Sequence, residues 1–391
     1  MKKILVCTFL MIVSISLVFS SCTKENNIET EHVETHLNTE DNESDTVEEK
    51  IENMDLKISE FSDLRQDVLV MEGKSIKDLD LSGRYDTLLK VTFDTRTEWP
   101  SKDKLPKEFN PQEIIEIGKN PGLGIRDLHN QSITGQGINV AIIDQPLLLG
   151  HEEYKDKVVK YTAIECEDVG PQMHGPAVAS ILVGKDCGVA PSASLYYWAE
   201  PSWKGDYIYR TTALGQIIEH NKNKPLNERI RVVSVSKGFS PDEDNLSMWK
   251  EKIKEAEESG VIVVHCSDEG IEDFFGVGCK LYEDRDNPEN YDICYFANND
   301  SFLKSRDFLF VPIDNRATAD YKGENDYTFW AQGGLSWGAP YLAGVIALGF
   351  QINPNLEQEE IYQYLRETGT PFNGGCIINP KAFIQKVSEM D

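Results

Sequence analysis

Gly137-Ile138-Asn139-Val140-Ala141-Ile142-Ile143-Asp144 closes a short run of branched and small apolar residues with a carboxylate. A run of this length without alternation reads as a strand buried on both faces, the kind found in parallel sheets. The same pattern recurs at residues 193–198, 230–236 and 261–266. Between these runs, residues 211–221 and 244–259 read as helices, the second amphipathic and stopped by Gly260. Alternating helices and uniformly apolar strands predict an α/β fold with a mostly parallel central sheet covered by helices on both faces. In such sheets chemistry gathers at the carboxyl ends of the strands. No internal repeat is visible.

Asp144 sits at one of those ends, where a carboxylate is either a helix cap or a functional acid. Downstream, Gln172-Met173-His174-Gly175-Pro176-Ala177-Val178-Ala179 opens a helix of small residues with a histidine. Gly334-Leu335-Ser336-Trp337-Gly338-Ala339-Pro340 opens another with a serine. Unpaired N–H groups and the macrodipole at a helix N-terminus favour developing negative charge. Pro340 is expected in the first turn, where a missing N–H costs nothing. Taken singly, Ser336 is an N-cap and His174 a structural histidine. Together the three are what acyl transfer needs: a hydroxyl inert at its own pKa, an imidazole to take its proton, and a buried carboxylate to set the imidazole tautomer. Residues 334–338 also satisfy the G-x-S-x-G elbow of α/β-hydrolases, whose histidine follows the serine. His32, His36, His129, His151, His174, His220 and His265 all precede Ser336, which excludes that reading.

Several blocks, in order, resemble the subtilisin-like serine peptidases. Residues 137–144 resemble the first signature of that family, and His174-Gly175-Pro176-Ala177-Val178-Ala179 its His-Gly-Thr-His-Val-Ala. Gly188-Val189-Ala190-Pro191 follows as it does there. Val233-Ser234-Val235-Ser236-Lys237-Gly238 resembles the strand whose end pairs with substrate backbone. Residues 334–340 are similar to Gly-Thr-Ser-Met-Ala-Ala-Pro, and Asn353-Pro354-Asn355-Leu356 to the Asn-Pro-x-Leu behind it. The order Asp, His, Ser is that of subtilisin. The resemblance implies a three-layer subtilisin-like domain over residues 121–391 and an endopeptidase acting on polypeptide through an acyl-enzyme. Asp144 would orient the imidazole, His174 act as base and then acid, and Ser336 be acylated, with Ser236, Lys237 and Gly238 binding substrate. No cofactor and no metal site are read from the sequence, although relatives often carry calcium.

The pattern is broken in places. The family's Asp-Thr-Gly is here Asp144-Gln145-Pro146. Where an Asn amide should donate to the oxyanion, the sequence runs His265-Cys266-Ser267-Asp268-Glu269-Gly270, so Asp268 or Glu269 holds that place. An ionised carboxylate repels an oxyanion and only a protonated one donates; losing such a donor costs about 10²–10³ in rate. The Ser336 N–H is retained, and Asn298 or Asn299 is a candidate substitute. Lys237 and residues 265–267 reshape the pocket beside the cleaved bond. A second reading follows: a catalytically impaired member of the fold serving as a binding module.

The N-terminus addresses location. Lys2-Lys3, an apolar run over residues 4–19 and Ser20-Ser21-Cys22 describe a secretory signal, the run being shorter than the roughly 20 residues of a membrane span. Cysteine at the cut resembles the bacterial lipoprotein signal, with Phe19 where leucine is usual. It implies removal of residues 1–21, lipidation of Cys22 and an extracytoplasmic protein anchored to a bacterial membrane. Residues 22–55 are acidic and nearly free of apolar clusters, as expected of a disordered tether. Residues 56–120 read as an N-terminal arm or a removable pro-segment, with a strand expected over 85–95. The 391 residues are 40% hydrophobic and 27% charged with a net charge of −27, which argues against nucleic acid as a partner. Cys166, Cys187, Cys266, Cys279, Cys294 and Cys376 lack zinc-type spacing, and both pairing and burial as thiols stay open.

Overall fold

The computed structural model describes residues 69–267, 273–295, 297 and 300–389. The signal, the tether and Cys22 lie outside the described residues.

The central sheet has five strands, all parallel, in the spatial order Val158–Ala163, Ser194–Ala199, Asn139–Asp144, Ile230–Val235, Ile262–His265. Strand Asn139–Asp144 lies in the middle, so both its edges are paired and both its faces are covered. Val140 and Ile142 enter one core, shared with helices His174–Val183 and Leu335–Ile352. Ala141 and Ile143 enter the other, shared with helices Ile208–Asn221 and Leu246–Glu258. Alternate side chains thus feed opposite layers, which is why the run has no polar phase. Each buried Ile or Val contributes about 1.5–3 kcal/mol of transfer free energy. This is the three-layer subtilisin-like α/β architecture.

A second sheet, mixed in direction, runs Thr370–Phe372, Gly375–Ile377, Leu309–Asp314, Phe274–Cys279, Tyr291–Ile293. Three of its strands lie within residues 272–328, a stretch that carries no clean signature of the resembled family. A third, antiparallel sheet joins Phe93–Asp94, Tyr327–Trp330 and Arg316–Ala319.

That third sheet corrects one expectation. Residues 85–95 were expected to form one strand; instead Tyr85–Leu88 is a helical turn and only Phe93–Asp94 is strand. Tyr85 and Leu89, four residues apart, satisfy alternation as well as helical spacing, whereas Leu88 fits the helical spacing alone. The turn after Gly83 closes with Leu88 N–H to Arg84 O (2.9 Å) and Leu89 N–H to Tyr85 O (3.1 Å). Local hydrogen bonds therefore won over the alternating pattern.

Residues 69–119 share a core with the third sheet: Met71, Ile76, Leu88, Val91, Phe93 and Ile114 pack with Ala317, Tyr327 and Phe329. Beside it, buried Asp94 accepts from Gly73 N–H (2.8 Å) and from Thr97 Oγ1 (3.0 Å). Arg96 bridges Asp94, Asp320 and Asp326. Burial, then the neighbouring Asp320 and Asp94, push the Glu72 carboxyl up to about 7. All six cysteines named above are buried, and Cys166, Cys187, Cys279 and Cys376 are free thiols. Burial raises the Cys279 and Cys376 thiols to about 11.

Candidate active site

Asp144 is the last residue of its strand and is 6% exposed. Its Oδ1 accepts from the Gln145 N–H (2.8 Å) and from His174 Nδ1 (2.7 Å). A carboxylate in that position fixes the proton on Nδ1 and leaves Nε2 as the basic nitrogen. His174 reaches Asp144 because its helix begins hard against the chain leaving the strand. A Cβ on Gly175 would lie 2.4 Å from Gln145 O and 2.7 Å from the Tyr197 hydroxyl. Tyr197 in turn donates to Gln145 O (2.6 Å). Only glycine permits this approach.

Ser336 is the second residue of the helix Leu335–Ile352, whose N-cap is Gly334. Its backbone N–H belongs to the first turn and has no intrahelical acceptor. The helix is long and apolar enough to cross a membrane, but its window is 83% buried inside the protein, so it is a core helix. The Trp337 ring lies 5.2 Å from the His174 ring and 5.4 Å from Trp330, which brings the serine turn to the imidazole.

Pro340 departs from expectation. It lies inside the helix, past the first turn. Its missing N–H frees the Ser336 carbonyl four residues back. The Ser236 hydroxyl takes that acceptor at 2.8 Å, and the Ser336 hydroxyl faces Ser236 O at 3.5 Å. A proline read as a start signal thus fastens the serine turn to the segment read as substrate-binding.

In that segment Lys237 pairs with Glu243, whose other oxygen lies 4.0 Å from Arg210. Arg210 and Glu200 form a buried pair, and burial raises the Glu200 carboxyl. The Glu200 N–H donates to Asp144 O (2.8 Å), so this ionic chain ends on the backbone of the acid. His265 is buried, its Nδ1 2.5 Å from the Ser267 hydroxyl and its ring 4.9 Å from Phe239. Asp268, Glu269, Asn298 and Asn299 lie outside the described residues. Among the described residues no group of three or more His, Cys, Asp or Glu is placed to hold a metal ion.

Sequence reasoning missed Asp314. It ends strand Leu309–Asp314, is 1% exposed, and accepts from Gly333 N–H (2.6 Å) and Tyr295 N–H (2.8 Å). It therefore ties the turn before Ser336 to the segment around Tyr295. The signal that singled out Asp144, a carboxylate closing an apolar run, is present again in Leu309-Phe310-Val311-Pro312-Ile313-Asp314.

Residues 135–270 match the model of the subtilase family. The structure is similar to the prenylagaramide maturation protease PagA, with a TM-score of 0.50 and 18% identity over 68% of this chain and 99% of that one. It is similar to fervidolysin from Fervidobacterium pennivorans, a keratinolytic enzyme related to subtilisin (TM-score 0.51, 17% identity, 67% of this chain and 44% of that one). It is also similar to the subtilase cytotoxin SubAB (TM-score 0.53, 15% identity, 69% of this chain and 96% of that one). The family match spans the Asp144 strand and the His174 helix, and the likeness in fold to these proteins extends beyond it.

Proposed function

We propose that the protein is a serine endopeptidase that cleaves polypeptide through an acyl-enzyme on Ser336, with His174 as general base and then acid and Asp144 as its orienting carboxylate. The observation that carries this reading is the 2.7 Å bond between His174 Nδ1 and Asp144, made next to the turn that presents Ser336. Such a bond leaves Nε2 to take the serine proton and return it to the leaving amine. The Ser336 N–H supplies one oxyanion donor. A fluorophosphonate probe should label the wild type and spare Ser336→Ala; absence of labelling in folded wild type refutes the reading. The competing role as a binding module is favoured by Asp268 and Glu269 at the oxyanion position. It requires that Ser336→Ala leave the cellular phenotype intact.

The chain is further proposed to be an extracytoplasmic lipoprotein anchored through Cys22 to a bacterial membrane, with residues 56–120 retained as an arm. The shared core of residues 69–119 with the third sheet supports retention. Palmitate incorporation should vanish in Cys22→Ala. The same N-terminus should be found in wild type and Ser336→Ala; a wild-type cut near residue 120 overturns retention.

A further inference from the structure

An imidazole that takes the serine proton becomes a cation, and an aromatic face within about 6 Å stabilises that cation. Trp337 follows Ser336 directly, where the resembled family has methionine. Its ring centroid lies 5.2 Å from that of His174, with the two planes 35° apart. That angle is nearer to stacking than to an edge-on approach, so the indole presents its electron-rich face to the imidazole. Trp330 backs the same indole at 5.4 Å. A Cβ on Gly333 would lie 2.6 Å from Trp337 Cδ1, so the ring is also wedged against the turn before the serine.

Trp337 is 4% exposed, and its Nε1–H is buried without a hydrogen-bond partner. Buried indoles ordinarily find a partner for that group. Methionine or leucine would occupy the position without leaving a donor unpaired, so what tryptophan adds here is its ring. The charged and titratable groups around the imidazole come from other elements. Strand Asn139–Asp144 brings Asp144, whose Oδ1 lies 2.7 Å from Nδ1. Strand Ser194–Ala199 brings the Tyr197 hydroxyl, bonded to Gln145 O, and leads to Glu200, paired with Arg210. Strand Arg316–Ala319 brings Arg316, 5.8 Å from the Tyr341 ring. The helix Leu335–Ile352 has no charged residue, so what it sets against the imidazole is the indole.

We propose that Trp337 is a positioning residue whose face holds the His174 ring against Asp144 and stabilises the imidazolium formed when Ser336 gives up its proton. The inference rests on the peptidase reading of His174 and Ser336.

The test follows the full chain, carrying isotope-labelled histidine, by NMR across pH; the His174 signal is the one lost in His174→Gln. Trp337→Leu should lower the pH at which His174 titrates by about 0.5–1 unit, a three- to tenfold loss in proton affinity. Replacing tryptophan throughout by a fluorinated tryptophan drains charge from the ring face with little change of shape. It should move His174 in the same direction, and it keeps the test decisive if Trp337→Leu folds poorly. An unmoved titration, or one moved upward as water entering the vacated space would move it, overturns the proposal. Fluorophosphonate labelling against pH separates the two readings, since its acid limb should fall by the same amount. A shift by NMR in a protein that takes no label would uphold Trp337 while refuting the peptidase, and labelling with an unmoved acid limb would refute Trp337 alone.

Discussion

Gly175→Ala gives the most direct test of how the Asp144–His174 bond is built. The new Cβ would lie 2.4 Å from Gln145 O, short of an ordinary 3.4 Å contact by about 1 Å. Two of the three nearest atoms, Gln145 O and Pro146 O, are backbone, and the third is the Tyr197 hydroxyl already bonded to Gln145 O. None is the free end of a flexible side chain, so the start of the His174 helix must move. A displacement of about 1 Å takes the 2.7 Å bond to Asp144 beyond hydrogen-bonding range. Misplacement of that size costs about 10² in rate, and the overpacking about 1–3 kcal/mol in stability. The assay pairs kcat/KM on a quenched fluorogenic peptide with the rate of fluorophosphonate labelling and a thermal unfolding curve. Gly215 lies in helix Ile208–Asn221, and a Cβ added there would meet nothing within 4 Å, so Gly215→Ala should leave the rate unchanged and raise stability slightly. A Gly175→Ala protein that labels at the wild-type rate and melts at the wild-type temperature would refute the reasoning.

Two further predictions concern carboxylates. Asp314→Asn exchanges an acceptor that serves both Gly333 and Tyr295 for an amide whose nitrogen cannot accept, so kcat should fall about tenfold with KM little changed; an equal loss in KM would assign Asp314 to binding instead. Glu72 has a folded pKa of about 7 against an ordinary 4.5, because burial, Asp320 and Asp94 outweigh Lys322 and Arg96. A raised carboxyl binds its proton more tightly when folded, so its stabilising contribution is complete below pH 4.5 and is lost as pH rises through 7. Glu72→Gln has no proton to lose and should gain in melting temperature over wild type across that window, with the gain constant above it. A gain that is flat from about pH 4 to 8 would show that Glu72 does not titrate there.

Several features were legible because they are local. The strand ending at Asp144 is announced by apolar residues with no polar phase, and the helices of His174 and Ser336 by runs of small residues. Their order alone excluded an esterase. At residues 85–95 the same local reasoning misjudged the structure, since a helical turn and a strand both accommodate the four-residue spacing of Tyr85 and Leu89.

By itself, then, the amino-acid order determined the parallel sheet, the buried acid at a strand end, and the succession of Asp144, His174 and Ser336. Periodicity and helix-start chemistry act within about ten residues and can be read one window at a time. Tertiary structure alone decided that Ser236 takes the carbonyl freed by Pro340 and that Asp314 ties Gly333 to Tyr295. Those bonds join segments from 19 to 100 residues apart in the chain. A hydrogen-bond donor carries no periodic mark of its distant acceptor; the pairing exists only once the layers have packed and each buried polar group has found a partner.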